Sequence, residues 1–216
     1  MNPLLYGLPV AAYLYGAVPF GFLAAKLIKG VDIRKVGSGN IGATNAARVL
    51  GFRFFPIVFL LDVSKGLLPT LIAQHNAAQG RYDPSPFVIA CGVAAILGHI
   101  FPIYLGFRGG KAVATSAGVF LVLAPGAALI CGGIWTIVFA VWRYVSLASI
   151  AAAFTLPAAI WLSNRDPLGS GAFLFGFTAL AAASVIALHR SNIGRLLSGT
   201  EHKVGSPRPP TGNGGH

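Results

Sequence analysis

Apolar runs about the length of a membrane span recur along nearly the whole chain, and nothing else in the sequence constrains the fold as strongly. A helix crossing the hydrocarbon of a bilayer needs about 20 mostly apolar residues. Inside lipid, only helices and closed barrels satisfy their own backbone N–H and C=O groups. Pro3–Ala25, Phe54–Ala73, Phe87–Phe107, Leu147–Leu162 and Leu168–Leu188 each read as one span. Residues 112–142 are too long for one span and short for two. Pro125-Gly126 and Gly132-Gly133 break helices, so two short helices over 112–124 and 127–142, joined by a tight turn, are expected. The reading is an all-α polytopic membrane protein with seven transmembrane helices.

Composition supports this and excludes other classes. Only 10% of the 216 residues are charged, while 55% are hydrophobic. That is too few charges to cover the surface of a soluble enzyme, and too much apolar surface for a disordered chain. The net charge of +11 could suggest nucleic acid, but the basic residues are scattered between the apolar runs, as in cytoplasmic loops. With the N-terminus outside, seven spans place Lys26, Lys29, Arg34, Lys35, Arg48, Arg53, Arg108, Lys111, Arg143, Arg190, Arg195, Lys203 and Arg208 inside, and only Arg81 and Arg165 outside. A single span over 112–142 would separate Arg143 from Arg108. Lys26 and Lys29 follow the first span and no basic residue precedes it, the reverse of a cleaved signal peptide. Residues 1–203 therefore read as one membrane domain, and 204–216, rich in Pro and Gly, as a disordered cytoplasmic tail. Cys91 and Cys131 both lie in apolar runs and form no disulfide framework.

Folded this way, the unusual residues collect on the inner face. The first inner loop runs Gly37-Ser38-Gly39-Asn40-Ile41-Gly42-Ala43-Thr44-Asn45 and reaches Arg48. Glycines let backbone N–H groups approach an oxyanion, Ser, Thr and Asn add donors, and Arg48 can grip phosphate through two bonds. The second, Arg108-Gly109-Gly110-Lys111, opens a helix, where phosphate is attracted. The third is Arg143-Tyr144-Val145-Ser146-Leu147-Ala148-Ser149. In the fourth, His189 and Asn192 share a helical face. His99 is expected to be buried and bonded to a backbone carbonyl. Asp62 and Lys65, inside the second span, cost about 2.5–3.5 kcal/mol each to insert and are spaced i, i+3 to pair. The chain has no paired inner carboxylates beyond Asp32 and Glu201, no metal-ligand cluster, no phosphate-binding P-loop, no G-x-S-x-G and no His-x4-Asp. No metal or cofactor is expected.

Together, GSGNIGATNAARVLG at 37–51, GHIFPIYLGFRGGKAVATS at 98–116 and HRSNIGRLLSGTE at 189–201 resemble the three motifs of the bacterial PlsY family, the membrane glycerol-3-phosphate acyltransferases that use acyl phosphate. The resemblance implies that acyl phosphate and sn-glycerol 3-phosphate give lysophosphatidate and phosphate, the first acylation of phospholipid synthesis, at the bacterial cytoplasmic (inner) membrane. An enzyme that makes acyl phosphate is a further partner it brings in, beside the lipid bilayer. Matching positions imply catalytic roles for Ser38, Arg48, Lys111 and His189. Substrate contacts are expected from Gly37, Gly39, Asn40, Gly42, Thr44 and Asn45 in the first motif, Arg108, Gly109 and Gly110 in the second, and Ser146, Asn192 and Glu201 beyond them. Family members often carry an acid where Ser191 stands here. An acyl phosphate is already activated, so direct attack by the glycerol 1-hydroxyl is expected, without an acyl-enzyme. The proton would go to His189 or to a substrate phosphate. Two other readings use the same residues: a membrane anion or phosphate transporter working through Asp62 and Lys65, and a non-catalytic scaffold for lipid synthesis.

Overall fold

A computed structural model describes residues 7–78, 84–163 and 168–205, and the regular structure of those residues is all helical, without a strand. The first expected span is two helices, α1 (Leu8–Gly16) and α2 (Phe20–Lys29), bent by 41°. Pro19 stands at the bend: it has no N–H to donate and disfavours helix at Val18. After a single 3-10 turn at Ile33–Lys35 come α3 (Ala43–Leu50), α4 (Phe54–Ala78) and α5 (Pro84–Ile100). The expected span 87–107 thus stops as an α-helix at Ile100. Pro102 follows, and the chain turns through Ile103–Leu105 to Gly106 at φ +63°.

The run 112–142 divides into α6 (Val113–Leu123) and α7 (Pro125–Trp142). The break falls at Pro125, which takes the first position of α7, where a missing N–H costs nothing. Gly132-Gly133 lies inside α7 and does not break it. The last three helices are α8 (Val145–Ser163), α9 (Ala172–Leu188) and α10 (Arg190–Leu197), with a 55° bend between α9 and α10. By length and composition, α4, α5 with the turn after it, α7 and α8 can each cross a membrane, as can the bent pairs α1–α2 and α9–α10. The 11-residue α6 is about 16 Å long, shorter than the full span expected there. The expected tail begins at Val204, whose N–H donates to the Arg143 carbonyl (3.0 Å) and ties that residue back beside α8. Residues 206–216 lie outside the described residues.

Helix α4 is the hub, packed against α1, α3, α5 and α6. Glycines make these seams close. A methyl group on Gly66 of α4 would strike the Thr115 carbonyl of α6, and one on Gly118 of α6 the Val63 carbonyl of α4. Gly16 and Gly98 do the same between α1 and α5. On the other side, α8 packs between α7 and α9. There α7 leaves Leu129 and Val141 69% and 63% exposed, a face for lipid rather than for protein.

Candidate active site

Four helices begin at one place. The starts of α3 (Gly42 to Thr44), α6 (Ala112 to Ala114), α8 (Val145 and Ser146) and α10 (His189 and Asn192) all line one polar pocket of about 130 Å³. The first N–H groups of a helix have no partner within it, and each start carries about half a positive charge. The starts of α3, α6 and α8 together favour an anion; that of α10 abuts the end of α9, whose negative end opposes it.

The first glycine loop is shaped by Asn45, which is 1% exposed. The two N–H groups of its Nδ2 are shared among the carbonyls of Ile33, Val36 and Asn40, at 2.8, 3.0 and 2.9 Å. Its Oδ1 accepts from the Ser38 N–H at 3.1 Å. Gly37 and Gly39 take φ +64° and +68°, which a side chain rarely adopts. The Gly42 N–H is occupied by Asn40 Oδ1 at 2.8 Å. What the loop offers a ligand is therefore the Ala43 and Thr44 N–H groups, the hydroxyls of Ser38 and Thr44, and Arg48, which reaches the pocket from one turn further along α3.

Lys111 enters from the start of α6, and its Nζ donates to Asn192 Oδ1. Burial draws its pKa down to about 8; Glu201 opposes this, and the charges of Arg195 and Arg48 add to it. Glu201 holds the opposite wall. Its Oε1 accepts from Asn192 Nδ2 (2.6 Å) and Ser146 Oγ (2.7 Å), and its Oε2 from Arg195 Nε (2.6 Å). Burial alone would raise the Glu201 pKa, but these three donors outweigh it and keep the carboxylate charged. Glu201 thus positions Ser146 and Asn192. His189 sits at the α9–α10 bend with Nδ1 2.7 Å from the Val185 carbonyl. A carbonyl only accepts, so Nδ1 carries hydrogen and Nε2 has a lone pair.

Eleven expected residues therefore meet in the pocket: Ser38, Asn40, Gly42, Thr44, Asn45, Arg48, Lys111, Ser146, His189, Asn192 and Glu201. Gly37 and Gly39 shape the loop behind it. Arg108 is exposed and outside it. Gly109 and Gly110 do not present N–H groups to an anion, because these donate to the Ile100 and His99 carbonyls, both at 3.1 Å. The pocket also reaches Asp62 and His99. His99 is buried as expected, but its Nδ1 faces side chains, Thr115 Oγ1 at 3.2 Å and Lys65 Nζ at 3.4 Å, rather than a backbone carbonyl. Asp62 and Lys65 pair at 2.7 Å.

Phe55, Phe59, Val113, Trp135 and Ser149 line both this pocket and an adjoining apolar groove of about 320 Å³. The groove is walled largely by small side chains of α6, α7, α8 and α9 and runs toward Phe120 and Leu156. Trp135 Nε1 donates to Ser149 Oγ (3.2 Å) at the junction. Ser149 closes the third inner segment of the sequence, but no polar pattern marks Phe55, Phe59, Val113 and Trp135, which look like other apolar helix positions. An anion site joined to an apolar channel is built for an amphiphile.

The glycerol-3-phosphate acyltransferase family model matches residues 6–199. The chain belongs to that family. A glycerol-3-phosphate acyltransferase of Geotalea daltonii is 45% identical over 193 residues, covering 89% of this chain and 94% of the relative. One from Gloeobacter violaceus is 44% identical, covering 95% and 97%. The crystal structure of PlsY (YgiH), an integral membrane glycerol 3-phosphate acyltransferase, in its glycerol 3-phosphate form, superposes with a TM-score of 0.83 at 41% identity, covering 94% of this chain and 96% of that one. Its lysophosphatidic acid form gives 0.79 at 40% identity, covering 93% and 95%. Like that protein, this acyltransferase is a multi-pass helical membrane protein.

Proposed function

We propose that the protein transfers an acyl group from acyl phosphate to the 1-hydroxyl of sn-glycerol 3-phosphate. The observation that carries this is the polar pocket at four helix starts, with Arg48 and Lys111 inside it, opening onto an apolar groove. Both substrates carry phosphate, and one carries a fatty chain. The hydroxyl oxygen attacks the acyl carbonyl carbon and an ester C–O bond forms. The bond from that carbon to the phosphate oxygen breaks, and phosphate leaves with its electron pair. No bond to the protein is made. Arg48, Lys111 and the α3 and α6 N–H groups stabilise charge on the leaving phosphate, while Ser38, Ser146 and Asn192 orient the substrates. The hydroxyl proton passes to a phosphate oxygen, whose second pKa is near 6. His189 Nε2 is within the same pocket, but no carboxylate backs its Nδ1 to steady an imidazolium.

Positive-inside placement of the basic residues supports seven membrane segments, with α6 as the short one, an external N-terminus and the pocket on the cytoplasmic side of the bacterial inner membrane. There it would receive acyl phosphate from the enzyme that makes it. The transport reading loses its material, since Asp62 and Lys65 are occupied with each other. The test is purified protein with palmitoyl phosphate and glycerol 3-phosphate. Lysophosphatidate and inorganic phosphate should appear in equal amounts. Turnover of palmitoyl-CoA with release of CoA would overturn the donor assignment.

A further inference from the structure

One buried cluster remains outside the chemistry above: Asp62 and Lys65 on α4, His99 on α5 and Thr115 on α6. We propose that His99 is a positioning residue for Lys111, and that the other three hold its ring in place. The inference deepens the acyltransferase reading and rests on it.

The chain between α5 and α6 is strapped back onto the end of α5. Gly109 and Gly110 donate their N–H groups to the Ile100 and His99 carbonyls, both at 3.1 Å. That approach leaves no room for a side chain. A methyl on Gly109 would overlap the His99 carbonyl and reach 2.6 Å from the Ile100 carbonyl. A methyl on Gly110 would overlap His99 Nε2 and lie 3.0 Å from its Cδ2. The imidazole edge is thus the surface on which Gly110 rests, and Lys111 is the next residue.

The ring has no room to retreat. Its Nδ1 faces Thr115 Oγ1 at 3.2 Å, Lys65 Nζ at 3.4 Å and the Asp62 carboxylate at 3.8 Å. The Thr115 hydroxyl in turn donates to the Asp62 carbonyl at 3.0 Å, fixing the first turn of α6 to α4. Thr115 and Lys65 are 0% and 1% exposed. Between the strap and α6, Ala112 is held at φ +54°, a left-handed conformation that a non-glycine residue keeps only when its surroundings enforce it. The glycines of the second motif therefore act by lacking a side chain, and His99 sets how far Lys111 and the α6 start project into the pocket.

A double-mutant cycle tests this. Gly110→Ala should raise KM for glycerol 3-phosphate about tenfold or more, with a smaller change in kcat, because the cation is displaced rather than removed. Adding His99→Ala makes room for the methyl group and should recover about threefold or more of that loss. Losses that simply multiply would overturn the proposal, as would normal kinetics in Gly110→Ala. If Gly110→Ala fails to fold, Thr115 decides. Thr115→Val should raise the same KM, and Thr115→Ser, which keeps the hydroxyl, should restore it; equal KM values in the two variants would overturn the clamp. Binding of labelled glycerol 3-phosphate to the purified variants should follow the same order. If the unaltered protein binds it but makes no product, the acyltransferase reading fails while the cycle, read in binding of labelled glycerol 3-phosphate, still judges His99.

Discussion

Residues 37–48 and 106–111 carry the same outward signature, a glycine-rich stretch that ends on a cation at the pocket, yet they work in opposite ways. In the first, Gly37 and Gly39 adopt left-handed φ values, Asn45 gathers the surrounding carbonyls, and the α3 N–H groups are left facing the pocket. In the second, the Gly109 and Gly110 N–H groups are consumed by α5 carbonyls. The first loop contributes donors; the second contributes closeness, and only its last residue, Lys111, touches the site. A glycine-rich motif is thus interpreted by where its N–H groups go.

That contrast can be broken most directly at the cations. Lys111→Ala removes the one charge the second loop supplies, and a charge-assisted bond is worth about 1.5–3 kcal/mol, so kcat/KM should fall about 10- to 100-fold in folded protein. Arg48→Ala should do the same for the first loop. Near-normal steady-state kinetics in both would place the phosphates elsewhere.

Asn45→Ala should cost about tenfold in kcat/KM and also lower the thermal midpoint, since it frees three carbonyls and the Ser38 N–H at once. Unchanged melting with intact activity would deny Asn45 its role in shaping the loop.

A smaller effect concerns pH. Lys111 binds phosphate as a cation, and its pKa in the free protein is drawn down to about 8, chiefly by burial; Glu201 opposes this, and the charges of Arg195 and Arg48 add to the lowering. Since kcat/KM reports free-enzyme ionisations, it should decline as pH rises through about 8. Lys111→Arg should move that limb to higher pH. An alkaline limb unchanged in Lys111→Arg would assign it to another group.

Smallest of all, Arg108→Ala should change kcat/KM by less than about twofold, because an exposed charge in high dielectric contributes little. A tenfold loss there would restore the second loop as a direct anion site.

Much of this was readable from local pattern. Apolar run lengths located the long helices, the i, i+3 spacing of Asp62 and Lys65 anticipated their ion pair, and the three motifs named most of the pocket. What escaped depends on distant partners. His99 is defined by Lys65, 34 positions away, and by Thr115, 16 positions away, neither of which marks it in sequence. The bend at Pro19 was missed because the apolar run continues through it. Gly109 and Gly110 were misassigned because flexibility and close packing call for the same residue. Trp135, one aromatic residue in an apolar run, gave no sign that a pocket and a groove meet there.

That junction also governs how the two reactants are supplied. In the proposed reaction, a head group in the pocket and a tail in the groove would put the reacting carbonyl near Trp135, between water and lipid. Glycerol 3-phosphate arrives by diffusion in three dimensions, the fatty substrate by diffusion in two. Beside the groove, α7 turns an apolar face outward, with Leu129, Ile137 and Val141 exposed. In the proposed reaction the new lipid would leave sideways into the leaflet, its tail never meeting water. Turnover then follows the density of acyl donor in the membrane plane rather than its concentration in the bulk, and each catalytic cycle converts a water-soluble molecule into a resident of the bilayer.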